Sequence, residues 1–274
     1  MTMEPVPAAE PAGVAERYPD AVEEAVPPSL LAVFAHPDDE ALLAGGILAR
    51  YAAEGARTAV VTATWAPGSP RAGELADSLA ALGVPGPPRL LGYADHRVPA
   101  SAPGRPRWCD APVDEAVGRL VAHIREVRPG IVLTPDAYGQ LTGHPDHRHT
   151  HRTTLLAVTA AGLGQLYPEA GEPWRPGALY LATHPHSAVT ELGELLDGVG
   201  KSVLSVPDAH VTDTVDVRPW RERKWAAIQA HRSEVARDRA LPGLLARLPQ
   251  ETRDRLLGTE YYTRVGLTDG AYLV

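Results

Sequence analysis

The chain is short of cysteine, phenylalanine, lysine and cationic excess, and each shortage excludes a class of protein. A single cysteine, Cys109, among 274 residues rules out an internal disulfide framework and a zinc site built on thiolates. A formal charge of −8, with arginines scattered and no basic stripe, argues against a nucleic-acid partner, because binding to phosphate backbones needs clustered Lys and Arg. No run approaches the roughly 18–20 apolar residues that a membrane span requires. The opening residues Met1-Thr2-Met3-Glu4-Pro5 carry neither a basic nor an apolar segment of the signal-peptide kind, so a cytoplasmic protein is expected. Aromatic residues make up 5% and Phe34 is the one phenylalanine, which leaves Ala, Val and Leu to fill the core. Abundant Ala, Arg, Gly and Pro beside only two lysines, Lys201 and Lys224, are the composition of a GC-rich genome.

What remains is 44% hydrophobic, enough for a sizeable core. Residues 1–28 are rich in Ala, Pro and Glu without a period and read as a flexible acidic arm. Residues 29–274 read as one domain, and homo-oligomerisation is left open. Short apolar or β-branched runs at 30–35, Thr58–Thr64, Arg89–Gly92, Ile131–Thr134 and Ala178–Thr183 alternate with helical segments. Those segments lie at about 41–54, Arg71–Leu82, Val113–Val127 and from about Pro145 to Leu163, with a Pro-rich loop at 99–108. This alternation predicts an α/β fold, a Rossmann-like, mostly parallel sheet flanked by helices. A small C-terminal α+β extension follows: strands near Ser202–Val206, within Val211–Val217 and at Tyr272–Val274, and helices over about 219–231 and 241–257.

The first strand runs into Ala35-His36-Pro37-Asp38-Asp39-Glu40, and open α/β sheets bind ligands beyond the carboxyl ends of their strands. Two readings compete for this run. Asp38 or Asp39 can cap the following helix, with Glu40 favourable to its dipole, and Gly45 and Gly46 then let the helix pack closely on the sheet. Alternatively, His and Asp are ligands for a borderline cation such as Zn²⁺. A second cluster, His144-Pro145-Asp146-His147, follows the fourth strand and favours the metal. Three protein ligands with an open fourth position are the pattern of catalytic zinc, and His36, Asp39 and His147 form one such set. Asp38 is then free as a base, and His144 serves as a protonated electrophile or acid. His149 and His151 extend the cluster as solvated or supporting histidines, while His184 and His186 fall on a loop after a later strand.

Together the two motifs resemble the PIG-L/LmbE-like N-deacetylases over roughly residues 30–235. The likeness continues in Arg71 and Glu74, in Leu91-Gly92-Tyr93-Ala94-Asp95, in Lys224 and in Ala230-His231-Arg232-Ser233. It implies a Rossmann-like fold and hydrolysis of the acetamide on an N-acetylglucosaminyl group of a small glycoconjugate. Zn²⁺, or Fe²⁺ or another divalent metal, would be held by His36, Asp39 and His147. Asp38 would activate water, His144 would assist the tetrahedral intermediate, and Asp146 would orient and tune His144. Arg71 and Asp95 match positions that contact the sugar.

The chain departs from that pattern in two places. Trp65-Ala66-Pro67-Gly68-Ser69-Pro70 stands where several relatives carry Gly-Glu. Thr142 stands where mycothiol-type relatives have a tyrosine, and Tyr138 on the same loop is the available substitute. These departures tilt the expected substrate towards a glycopeptide-antibiotic pseudoaglycone of secondary metabolism. A mycothiol precursor, a thiol conjugate cleaved by an amidase, and a sugar-binding protein without turnover are the alternatives. Trp65, Trp108 and Trp174 are either packing residues or the walls of an apolar pocket mouth.

Overall fold

The computed structural model describes residues 27–267 and 272–273. The acidic arm expected over 1–28 lies outside the described residues except for Pro27 and Pro28. The first part of the chain alternates strand and helix: β1 (Leu30–Phe34), α1 (Asp39–Ala53), β2 (Thr58–Thr64), α2 (Pro70–Leu82), β3 (Arg89–Tyr93), α3 (Val113–Val127), β4 (Ile131–Pro135), α4 (Pro145–Ala161) and β5 (Ala178–Thr183). There follow α5 (Thr190–Asp197), β6 (Asp213–Asp216), α6 (Arg221–Ala230), α7 (Arg232–Val235), α8 (Leu241–Ala246), α9 (Gln250–Leu257) and β7 (Thr259–Gly266).

The strands form one sheet in the order β3-β2-β1-β4-β5-β7-β6. Its first five members are parallel, and β7 runs antiparallel to both β5 and β6. β1 is the pivot: Leu30 pairs with Thr58 of β2 on one side and with Ile131 of β4 on the other. The chain winds outward from β1 to β3 and then returns to the far side at β4. The carboxyl ends of β1 and β4 therefore flank the point where strand order reverses, the place where such sheets open a crevice.

All five residues of β1 are buried, because helices cover both faces of the sheet. Leu30, Ala32 and Phe34 pack with Ala44, Ile47 and Leu48 of α1 and Ile228 of α6. Leu31 and Val33 point the other way, towards Leu120 and Ile124 of α3 and Ala157 and Val158 of α4. Burying a Leu, Val or Phe contributes about 1.5–3 kcal/mol, so a slip of one residue would misplace every side chain of the strand.

The C-terminal α+β portion extends this same sheet, and here the structure departs from several expectations. Residues 202–206 form no strand; Val206 makes only an isolated bridge to Pro185. The helix expected over 241–257 is two, α8 and α9, divided at Pro249. Tyr272 and Leu273 are not in a strand, and Val274 lies outside the described residues. β7 and α5 were not expected. Gly45 and Gly46 do permit close packing, but of α6 and the segment before it: a Cβ on Gly45 would lie 2.8 Å from Cγ of Lys224, and one on Gly46 would lie 2.3 Å from Cβ of Val217. No helix among the described residues is long and apolar enough to cross a membrane.

Candidate active site

The turn from β1 into α1 is held in an unusual backbone shape. Asp38 occupies the N-cap position with φ 116°, and its side chain makes no capping hydrogen bond. A positive φ at a non-glycine residue is strained and persists only when its surroundings impose it. Here Glu40 Oε2 accepts from the Asp38 backbone N–H at 3.0 Å, and the Arg71 guanidinium donates to the Pro37 carbonyl. Glu40 is fully buried and is itself fixed by Ser78 Oγ at 2.5 Å and His231 Nε2 at 2.6 Å. Burial pushes the Glu40 carboxyl up, but His231 and Ser78 bring it below its usual value. Burial likewise pushes His231 down, and Glu40 reverses this to leave it raised. The cap reading of Asp38 is therefore not what its carboxylate does.

That carboxylate faces a donor set. His36 Nδ1 and His147 Nε2 are 3.0 Å apart, and Asp39 Oδ2 lies 3.2 Å from His147 Nε2 and 3.5 Å from His36 Nδ1. Ligand atoms bonded at about 2.0–2.1 Å to one tetrahedral cation are roughly 3.3 Å from each other, so this triangle has the dimensions of a divalent-metal site. The electrostatics agree with it. Burial alone pushes the Asp39 carboxyl up, yet His147 and His36 hold it well below the ordinary carboxylate range. Burial lowers His36, but Asp146 and Asp39 raise it well above its usual value, so positive charge is favoured at that ring.

The remaining acidic and imidazole groups support this triangle. Asp146 Oδ2 lies 3.0 Å from His36 Nε2 and 3.8 Å from His144 Nδ1. It was expected to serve His144, and its geometry serves His36 first, leaving Nδ1 of that ring for a metal. Asp146 also accepts from the backbone N–H groups of His96 and Cys109, at 2.9 and 3.0 Å. These contacts hold its carboxyl below the usual value despite burial. His144, His36 and His147 offer a second possible ligand grouping, and His36, Asp95, His144 and Asp146 a third. In both, His144 would ligate through Nε2, since its Nδ1 accepts the Asp146 N–H at 3.2 Å as the cap of α4.

That cap fixes the tautomer of His144. With Nδ1 accepting, the ring proton sits on Nε2, and burial followed by the fields of His36 and His147 pushes His144 down to about 2. The expectation of His144 as a protonated electrophile or acid meets burial and neighbouring fields that favour the neutral ring.

Asp38, Arg71, Asp95, His144 and His147 all line one cavity of about 800 Å³. Burial, opposed by Arg71, pushes the Asp38 carboxyl up to about 7. Arg71 is buried, its Nη2 3.3 Å from Asp38 Oδ1 and its Nη1 3.1 Å from Glu234 Oε1. Asp95 has two roles, accepting from Arg97 N and Val98 N through Oδ1 while Oδ2 stands 3.5 Å from His36 Nε2. Thr142 and His184 reach the cavity; Tyr138, 47% exposed, does not. Burial pushes His184 down to about 4.

His149 packs edge-on against Trp108, His151 bonds the Pro135 carbonyl, and His186 bonds Ser205 at the surface. None of Trp65, Trp108 and Trp174 lines the cavity, whose apolar part comes from Leu42, Leu141, Leu196, Leu245 and other aliphatics. Sequence reasoning missed Glu234 and undervalued Glu40. No local signal marks Glu234, since its partner Arg71 lies far away in the chain. Glu40 adjoins the motif, but only the packing of α2 and α6 reveals that it is an anchor.

The chain is similar to known proteins in sequence and in fold. The family profile described as PIG-L, GlcNAc-PI de-N-acetylase, matches residues 31–158. A 1D-myo-inositol 2-acetamido-2-deoxy-alpha-D-glucopyranoside deacetylase from Rhodococcus jostii is 37% identical over 239 residues, covering 75% of this chain and 81% of that protein. Among solved structures, N,N'-diacetylchitobiose deacetylase from Pyrococcus horikoshii superposes with a TM-score of 0.61 at 20% identity, over 90% of this chain and 88% of that one. An antimicrobial pseudoaglycone deacetylase does so with a TM-score of 0.55 at 20% identity, over 88% and 99%. At such identities the structural likenesses concern the fold.

Proposed function

The chain belongs to the PIG-L family of N-acetylglucosaminyl deacetylases, and from that premise we propose that it hydrolyses the acetamide of an N-acetylglucosaminyl unit joined to an inositol-type polyol. The observation that carries this reading is the Asp38 carboxylate, held free of the helix cap beside the His36–Asp39–His147 triangle and lining a cavity large enough for a disaccharide-sized ligand. The inositol glycoside is favoured by the 37% identical relative. A pseudoaglycone substrate has only fold-level likeness behind it, and it yields to the inositol reading.

In this reading His36, Asp39 and His147 would hold a divalent cation such as Zn²⁺. When bound, such an ion lowers the pKa of a water towards about 7 and polarises the amide carbonyl. Asp38 takes the proton from the attacking water. His144 donates its Nε2–H to the oxygen on which negative charge develops, which a neutral imidazole can do without losing its proton. Delivery of a proton to the departing amine then falls to Asp38, because His144 would have to become an imidazolate. Asp146 holds His36 in register, and the binding of sugar hydroxyls is assigned to Arg71 and Asp95 because both line the cavity.

Replacing Asp38 by Asn should leave one metal ion per chain while lowering kcat for acetate release by about 10²–10⁴-fold, the usual contribution of a general base. Metal analysis beside an acetate assay on N-acetylglucosaminyl-inositol checks this. Turnover near wild type in the variant would remove Asp38 from the mechanism. Metal-free protein that releases no acetate would remove the whole reading.

A further inference from the structure

Two linings of the cavity differ in chemistry. Arg71 of α2 and Asp95 from the loop after β3 give it a polar lining. An aliphatic lining comes from Leu42 and Leu43 of α1, Leu245 of α8, and Leu256 and Leu257 of α9. Leu42, Leu43 and Leu256 are only partly buried, and they pack on the core cluster that contains Leu245 and Leu257. The five therefore belong to one aliphatic wall. Charged groups beside it are matched to each other: Lys224 Nζ is 2.7 Å from Glu260 Oε1, and Arg255 Nη2 is 2.6 Å from Glu191 Oε1.

The sheet sets these linings on opposite sides of the metal triangle. β2 and β3, which lead into Arg71 and Asp95, lie on one side of β1, whereas β5 and β7 lie beyond β4 on the other. β7 begins just after Leu257, and its Tyr261 pairs with Thr183 at the carboxyl end of β5. Helix α9 thus delivers its leucines to the same edge of the sheet as the triangle. Leu42 and Leu43 stand three and four residues after Asp39, one helical turn along the face that carries it. The wall therefore starts one turn from a corner of the triangle and runs towards β7, away from Arg71 and Asp95.

A secondary amide is planar and trans, so its two substituents leave it in opposite directions. With the carbonyl at the triangle beside Asp38, and the sugar towards Arg71 and Asp95, the acyl chain points at the leucine wall. An acetyl group has only a methyl to place there, far less than the wall can cover. We propose that Leu42, Leu43, Leu245, Leu256 and Leu257 form an acyl-chain subsite, and that the protein hydrolyses N-butanoyl and N-hexanoyl glucosamine units in preference to N-acetyl ones. The proposal rests on the deacetylase reading and extends it to longer acyl groups. In that reaction the oxygen of water bonds to the acyl carbon and the C–N bond breaks with its electron pair on nitrogen. The nitrogen takes a proton, and the linear acid departs as its carboxylate. Each methylene moved from water onto a fully covering aliphatic surface favours binding by about fourfold.

The test compares N-acetyl-, N-butanoyl- and N-hexanoylglucosaminyl-inositol on the zinc-loaded full chain, with release of free amine as the readout. Wild type should favour hexanoyl over acetyl about fourfold or more in kcat/KM, through a lower KM, with butanoyl between them. Hexanoyl no better than acetyl overturns the proposal. Leu256→Asn, on a helix that carries no corner of the triangle, should lose the preference and keep wild-type kinetics on the acetyl compound. A preference that survives in that variant overturns the wall. Leu256→Phe serves if Leu256→Asn does not fold: it stays apolar and narrows the space, so it should slow hexanoyl more than acetyl, and an equal effect on both overturns the subsite. Hexyl N-acetylglucosaminide probes the other orientation. A gain from its hexyl group that N-hexanoyl does not give places the wall on the aglycone side and overturns the acyl assignment. If none of these glycosides is hydrolysed, the deacetylase reading fails by itself. Calorimetric titration of the N-hexanoyl and N-acetyl compounds then still decides the subsite: hexanoyl bound about fourfold tighter or more in wild type, and not in Leu256→Asn, supports it, and equal binding overturns it.

Discussion

At Asp38 the backbone is held in a region that costs a non-glycine residue about 1–3 kcal/mol, and the contacts that hold it come from Glu40 and Arg71. Behind Glu40 stands His231, buried and bonded to it at 2.6 Å. This pair links stability to pH. His231 is raised in the folded state from 6.5, so its contribution is complete below that value and is lost as pH rises through the folded pKa. Glu40 is lowered from 4.5, so its contribution is present above that value and is lost as pH falls. His231→Gln, which keeps a donor but removes the positive charge, should therefore cost most near pH 5.5, by about 3 kcal/mol, and clearly less at pH 9. Urea unfolding of both proteins at the two pH values reads this, and an equal gap at both would show that the pair is not ionic. His36, Asp38 and Asp39 were legible as chemistry because three such residues adjoin a buried strand. Glu40 was not, because its burial depends on Ser78 of α2 and on His231 just after α6, both distant in sequence.

Helix α1 begins with Asp39, one corner of the triangle, and its placement depends on a glycine face and a buried acid. Glu260 of β7 accepts from the N–H groups of Gly46 and Ile47, at 2.8 and 3.0 Å, and from Lys224 Nζ at 2.7 Å. Val217 occupies the space beside Gly46. Gly46→Ala should therefore destabilise by about 1–3 kcal/mol through overpacking, although alanine by itself favours helix by about 1 kcal/mol. Adding Val217→Ala to Gly46→Ala should cost less than the two separate losses combined, as measured by urea midpoints. A Gly46→Ala protein more stable than wild type would contradict the packing. The same contacts explain which elements were legible. β1, β2, β4 and β5 announce themselves as apolar or β-branched runs between helices. β7 does not, because Glu260 and Arg264 interrupt its pattern; the acid is tolerated in the interior only because Lys224 and two backbone N–H groups, all from other elements, meet it there. Pro249 was the local sign that α8 and α9 are separate, since proline breaks a helix interior.

On the scale of the molecule, the site exists because the sheet reverses its strand order between β1 and β4. Residues 36 and 147 meet there although 111 positions separate them. Their convergence was legible because both motifs follow strands of one parallel sheet; the Arg71–Glu234 pair was not, because it joins α2 to the short α7, whose path no periodicity dictates. A cation held by His36 and Asp39 at the start of α1 and by His147 in α4 joins elements from opposite sides of that reversal. An ion that binds the folded chain and not the unfolded one stabilises by RT ln(1 + [L]/Kd), about 4 kcal/mol when free metal is a thousandfold above Kd. For a chain of this size each kcal/mol moves the midpoint by about 2–4 °C. Removing the metal with a chelator should therefore lower Tm by on the order of 10 °C, and readding Zn²⁺ should restore it. His147→Ala removes one corner of the triangle and leaves the sheet intact, so its Tm should be nearly indifferent to chelator and to zinc. Asp38→Asn, which leaves all three corners in place, should retain the full shift. If the His147→Ala protein still gains the whole increment from zinc, the ion is bound elsewhere, and the triangle loses its claim to it.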